Sequence, residues 1–270
     1  MIISPNLRFV FVHVHKCAGT SIETALATQL GVNDLVIGST EDGEKQKTFF
    51  ADVLKLRKHS TAQEAKDLLG EARWKNFFTF GFVRQPVDRL RSLYAYAKGL
   101  AERNPLTTEE QAALAAKGEF PARHPYKFKA VQAAVSAQSF DAFVRNPRTW
   151  QDAGAKPQWQ SLCDAEGVVM VDMIGKVEKI GDDWARVQKR LKFTAPLGLQ
   201  NKSPELVADE LSPEAWLMIR KHYLRDFKIF GYTVPPQVVQ AGPKAGGKPQ
   251  GGKANASAAG KIQSSGAAAA

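Results

Sequence analysis

The stretch Phe9 to Glu23, FVFVHVHKCAGTSIE, limits the folds open to this chain more than any other. Phe9, Phe11, Val12 and Val14 are β-branched or aromatic, as in a buried parallel strand, and Gly19, Thr20 and Ser21 break the run. From Ser21 onward, Ile22, Ala25, Leu26 and Leu30 recur at helical spacing. A strand therefore runs through the turn His15 to Thr20 into a helix, which leaves unpaired N–H donors and a positive dipole end at that corner. Such a corner is an anion site. Lys16 adds a mobile charge, Gly19 permits close backbone approach, and Thr20 and Ser21 add hydroxyl donors. The lysine precedes the glycine, so this is not a Walker A loop.

Phe77 to Lys98, FFTFGFVRQPVDRLRSLYAYAK, repeats the architecture. Phe77 to Val83 is a strongly apolar strand, Pro86 suits a first helical position, and Val87, Leu90, Tyr94 and Ala97 make one apolar helical stripe. Arg89, Ser92 and Tyr96 fall on another face. Arg84 sits at the corner between them, at the carboxyl edge of a parallel sheet, where open α/β folds bind ligands. Its planar guanidinium can grip a phosphate bidentately, and Ser92 can add a hydroxyl.

These two stretches together carry a resemblance. The pair H-V-H-K-x-A-G-T-S and F-x-F-V-R-x-P-x-x-R-x-x-S-x-Y resembles the 5′-phosphosulfate loop and 3′-phosphate segment of the carbohydrate sulfotransferases. Those enzymes use 3′-phosphoadenosine 5′-phosphosulfate (PAPS) and release adenosine 3′,5′-bisphosphate. The likeness is to the branch of heparan and chondroitin/dermatan O-sulfotransferases and their soluble bacterial relatives. Val171 to Leu191, Gln200 to Ser203 and Tyr223 to Tyr232 resemble further segments of that branch in the same order. Two departures concern fine geometry: Cys17 stands where a small or hydroxyl residue is common, and Gln85 where an acid or Asn is usual.

The resemblance implies a single P-loop-like α/β domain over residues 1–240, with a mainly parallel central sheet flanked by helices. It implies donor contacts from Lys16, Cys17, Ala18, Gly19, Thr20 and Ser21 at the 5′ end, and from Arg84 and Ser92 at the 3′ end. Lys202 and Ser203 belong to a loop that in the family closes over the nucleotide. His59, just before the capping box Thr61/Glu64, is the candidate general base, because imidazole titrates nearest neutrality and the family places a base histidine similarly. Gln158 and Trp159 resemble a segment near the acceptor groove. Glu178 is a candidate to orient a basic neighbour.

Residues 101–129 read as an insertion, with a short helix at Thr108 to Lys117 and then a basic, Pro-rich run. There Arg123, His124, Lys127 and Lys129 interleave with Phe120, Tyr126 and Phe128, cations beside rings that suit a sugar chain carrying acidic groups. Arg123 and Lys127 are the acceptor candidates taken from this run.

At 270 residues and 44% hydrophobic content the chain can bury a real core. The formal charge is +10, part of it from four lysines in a Gly/Ala/Lys-rich tail, 241–270, expected to be disordered. A basic body suits a polyphosphate nucleotide or an anionic glycan, and no nucleic-acid module is recognisable. Two cysteines make no disulfide framework, which favours a reducing setting. His13 and His15 share a strand face, yet no ligand partner follows at metal spacing, and no metal is assigned. Met1 to Pro5 leads almost at once into the first strand and no apolar run reaches membrane-span length. Since eukaryotic members of the family are anchored in the Golgi, the expectation is a soluble, cytoplasmic, bacterial-type member or a trimmed form. Gly31 to Phe50 has no periodicity and is expected to loop over the sheet, and Val168 to Ile174 reads as a further strand. The function these readings favour is O-sulfation of a carbohydrate hydroxyl; a P-loop-like ATP-dependent kinase and a non-catalytic nucleotide- or glycan-binding relative stay open.

Overall fold

The computed structural model describes residues 1–38, 40–198 and 210–234. Five strands form one sheet: β1 (Ile2–Ser4), β2 (Phe9–Val12), β3 (Leu35–Val36), β4 (Phe78–Val83) and β5 (Met173–Lys176), in the order β3-β1-β2-β4-β5. β4, flanked on both edges, is buried at all six positions, which is why its sequence is a continuous apolar run rather than an alternation. It pairs in parallel with β2 (Phe9 opposite Phe78, Val12 opposite Gly81) and with β5 (Phe80 opposite Met173, Val83 opposite Lys176). β1 pairs antiparallel with both β2 and β3. The sheet is therefore mixed, parallel through β2, β4 and β5 and antiparallel on the other side.

Three expectations need correction here. Met1 to Pro5 is not a lead-in, because Ile2–Ser4 is itself a strand, and Gly31 to Phe50 is not a plain loop. That segment holds β3 and the helices Glu41–Lys45 and Lys47–Val53, the second seated through buried Phe50. The strand expected at Val168 to Ile174 begins instead at Met173. Ahead of it, Asp164 and Gly167 close a turn, and Val169 makes a single antiparallel bridge with Cys163.

Two apolar clusters organise the packing. One lies around the sheet and the helix Gly19–Ala27, with Phe9, Phe11, Ile22, Leu26, Phe80 and Phe82. The other joins the helices Pro86–Arg103, Lys129–Ser136, Phe140–Arg145 and Pro213–Ile229 through Leu90, Tyr94, Phe143, Ile219 and Tyr223. The helix Pro86–Arg103 turns Val87, Leu90, Tyr94 and Ala97 into that second cluster. Among the described residues no helix is long and apolar enough to cross a membrane. The tail 241–270 lies outside the described residues, as do Lys202 and Ser203.

Candidate functional site

Parallel strands deliver their carboxyl ends to one edge, so the segments after β2, β4 and β5 meet there. After β2, the chain takes the left-handed conformation twice without glycine, at Lys16 (φ 62°) and Ala18 (φ 59°). Alternation of this kind curls successive N–H groups toward one centre. The helix Gly19–Ala27 then starts with Ala18 as N-cap and no side-chain cap, so its first-turn donors are not covered from its own sequence. Gly19 is required by a close approach: a Cβ there would lie 2.0 Å from Nε2 of His13. The imidazole of His13 packs directly on the Cα of Gly19.

His13 and His15 do share a face, and both rings meet His59. The His15 and His59 rings stack with centroids 3.4 Å apart, and His13 meets His59 edge-on at 4.6 Å. Nδ1 of His59 lies 2.9 Å from the His13 carbonyl. A carbonyl only accepts, so Nδ1 carries the hydrogen and Nε2 keeps its lone pair, the tautomer a general base needs. Burial, and then the neighbouring imidazoles, hold His59 far below the ordinary histidine range. Burial and His13 likewise bring His15 to about 3, so both rings are neutral at pH 7.

Glu23, fully buried on the first helix, sits behind this group, with Oε1 2.8 Å from Nδ1 of His13 and also bonded to the amino group of Met1. Burial alone would raise Glu23, but His13 and that amino group outweigh it and bring the carboxyl down to about 2. His13 itself is lowered to about 4, burial exceeding the pull of Glu23.

At the second corner, Gln85 caps the helix Pro86–Arg103 by accepting from Asp88 N at 2.9 Å, the service an acid or Asn would give. Arg84 precedes it, half-buried, and among the described residues its guanidinium has no ion-pair or hydrogen-bond partner. Lys16 rests its Nζ 4.0 Å over the ring of Tyr96, on the same helix. Burial, then the charge of Arg84, lowers Lys16 to about 8. The two cations thus sense each other across adjacent strands. Ser92 is buried on this helix, and Arg89 more deeply, donating to Gly154 O and Lys156 O at 2.8 Å each.

The third segment adds Glu178, which accepts from Gln85 N at 2.6 Å and from the Tyr232 hydroxyl at 3.0 Å. It ties the C-terminal residues to the Arg84 corner rather than orienting a basic side chain.

Several candidates stand elsewhere than expected. Gln158 is fully buried and cannot meet an acceptor; its amide is spent on Cys17, Arg84 and Asp226. The Cys17 thiol faces inward and burial pushes it to about 12, leaving only its backbone toward the corner. Arg123 is held by Glu110 through two bonds (2.7 and 2.6 Å) inside the insertion, so it is no free cation for a glycan. Lys127 remains exposed beside Phe128, and Trp159 is half-buried with Arg225 4.2 Å over its ring. Glu23 and Asp226 went unread, and Arg89 was placed on a face apart from the apolar stripe, although each falls at the spacing of apolar helical neighbours, where a charge signals an inward role. A cavity of about 360 Å³ opens beside the first helix, lined by Ser21, Thr24, Ala25, Thr28, Thr194 and Leu197 among others.

The family model described as "Sulfotransferase family" matches residues 1–233. Carbohydrate sulfotransferase 11 of Danio rerio is 25% identical over 181 residues, 60% of this chain and 49% of that protein. Carbohydrate sulfotransferase 11 of Rattus norvegicus is 26% identical over the same length and shares. The chain spans about half the length of these curated relatives.

Proposed function

The chain belongs to the sulfotransferase family, and from that premise we propose that it transfers a sulfuryl group from PAPS to a hydroxyl of a carbohydrate acceptor. The observation that carries the reading is the edge where β2 and β4 end, where Lys16 and Arg84, whose guanidinium has no partner among the described residues, flank a helix start without a side-chain cap, with neutral His59 close by. The donor's chemical class fits this edge, since it carries an anion at each end and two cationic corners stand on neighbouring strands.

The donor supplies an activated sulfuryl group on a phosphosulfate anhydride. Residues Lys16 to Ser21 bind its 5′ end and Arg84 with Ser92 its 3′-phosphate, which fixes the reacting group's position. The cavity beside Ser21, Thr24 and Thr28 takes the nucleoside. His59 Nε2 accepts the acceptor's hydroxyl proton as its oxygen attacks, with Nδ1 steadied by the His13 carbonyl. Anions bound nearby raise the affinity of His59 for that proton, offsetting the depression caused by burial. Lys16 stabilises negative charge that grows at the leaving phosphate. The carbohydrate acceptor is taken over from the relatives' names, and exposed Lys127 and half-buried Trp159 are its candidate contacts.

The test is calorimetric binding of adenosine 3′,5′-bisphosphate, ADP and Mg-ATP to wild type and Arg84→Ala, followed by transfer of labelled sulfate to a panel of desulfated glycans. Binding of the bisphosphate alone, weakened by Arg84→Ala, together with labelled glycan is the expected result. His59→Ala should keep the bisphosphate affinity and lose about 10²–10⁴-fold in turnover. Preference for Mg-ATP, or bisphosphate binding without any transfer, would overturn the reading.

A further inference from the structure

Gln158 is the buried polar group that the mechanism above leaves unused, and its bonds reach both anion corners. Oε1 accepts from the Cys17 thiol at 3.1 Å and from Arg84 N at 2.8 Å. Nε2 donates to Arg84 O at 2.9 Å and to Asp226 Oδ2 at 3.3 Å. One primary amide thus uses two acceptor and two donor positions, its full capacity. Asp226, fully buried on the C-terminal helix, holds the amide's own backbone: it accepts from Gln158 N and Trp159 N at 2.9 Å each. Both backbone groups of Arg84 are therefore gripped by a single side chain, as a strand neighbour would grip them, and that side chain also bonds the residue after Lys16.

We propose that Gln158, backed by Asp226, is a positioning residue that sets the separation between the Lys16 and Arg84 corners, so that a ligand anchored at both ends is recognised as a unit. The inference rests on the donor reading above. A ligand touching one corner is indifferent to the spacing. A ligand spanning both is not, because its second contact is gained only where the geometry allows both at once.

The experiment compares Kd values of adenosine 3′,5′-bisphosphate, adenosine 5′-monophosphate and adenosine 3′-monophosphate for wild type and Gln158→Met, an unbranched replacement that cannot make the amide's bonds. The bisphosphate should weaken by about 10-fold or more and each monophosphate by less than about 3-fold, because only the former is sensitive to spacing. Loss of all three by a common factor, or a bisphosphate Kd within about 3-fold of wild type, would overturn the proposal. A second pair keeps the test alive if Gln158→Met does not fold. Cys17→Ala removes the thiol, whose hydrogen is shared between Gln158 Oε1 at 3.1 Å and His15 O at 3.4 Å, and leaves the bonds between Gln158 and Arg84 in place; it should weaken the bisphosphate about 3-fold or more, whereas Cys17→Ser, which keeps a donor toward Oε1, should restore it. Equal affinities in Cys17→Ala and Cys17→Ser would count against the brace. If wild type binds the bisphosphate no more tightly than the monophosphates, the donor reading itself fails, and the brace with it.

Discussion

Gly19→Ala isolates the contact on which the first corner depends. Helix propensity favours the change, since Ala in place of helical Gly gains about 0.5–1 kcal/mol. Here the added methyl would stand 2.0 Å from Nε2 and 2.1 Å from Cδ2 of His13, a ring that is 4% exposed and backed by Glu23. Overpacking a rigid site costs about 1–3 kcal/mol, which leaves a net of about 0–2.5 kcal/mol, and an approach of 2.0 Å to a buried ring puts the destabilisation in the upper part, about 1–2 kcal/mol. For a domain of this size that lowers Tm by roughly 3–6 °C. Because the His13 carbonyl holds His59, turnover should fall as well. The assay is thermal and urea unfolding of four proteins: wild type, Gly19→Ala, His13→Ala and the double variant. With the ring gone, Gly19→Ala should become neutral or stabilising. An equal cost in both backgrounds, or no cost in the wild type, would refute the argument from close approach.

Lys16 supplies a pH test. Burial and Arg84 lower it to about 8, so bisphosphate affinity should weaken as pH rises from 7 through 8, and Lys16→Arg should flatten the profile over that range. Stability should move the other way: between about 8 and the ordinary lysine value the unfolded chain binds more protons, so this group's contribution to stability rises with pH. A pH titration of Kd beside one of urea midpoint checks both signs. Glu23→Gln should destabilise at neutral pH, because the carboxyl held at about 2 contributes stability that is present above its unfolded value near 4.5 and lost as pH falls toward 2. Wild type should therefore lose its advantage over the variant in acid unfolding curves, and an advantage that persists at pH 2 would contradict the assignment.

The two corners were legible because each is local: strand, turn and helix lie within about twenty consecutive residues, and apolar period and capping chemistry mark them. The helix start at Thr61 was legible for the same reason, and its side chain accepts the expected N–H bond; Thr107, Ser139 and Ser212 cap their helices in the same way. β1 and β3 were not legible, since three and two residues are too few to display an alternation. The Gln158–Asp226 brace joins residues from four distant segments, a relation no window of sequence contains. Charge placement carried a partial signal. Asp226 continues the stripe Ile219, Tyr223, Phe230, and Arg89 the stripe Pro86, Leu93, Ala97, where only a partnered charge can be buried. Arg123 misled for the opposite reason: composition shows a cation beside aromatics but not the glutamate thirteen residues earlier that occupies it.

That pairing has an evolutionary side. Arg123 binds Glu110 and the Pro105 carbonyl, and the Tyr126 hydroxyl reaches the Asn104 carbonyl at 2.7 Å, so the segment between 104 and 126 is stitched closed at its base. A loop fastened at its neck can be lengthened, shortened or exchanged while the helices that carry it stay in place. The edge proposed for the donor lies on other elements, after β2 and β4. Selection could therefore rewrite this segment without retuning the two corners proposed to hold the anions, and grafts exchanged at residues 104 and 126 are the natural unit in which to vary this protein.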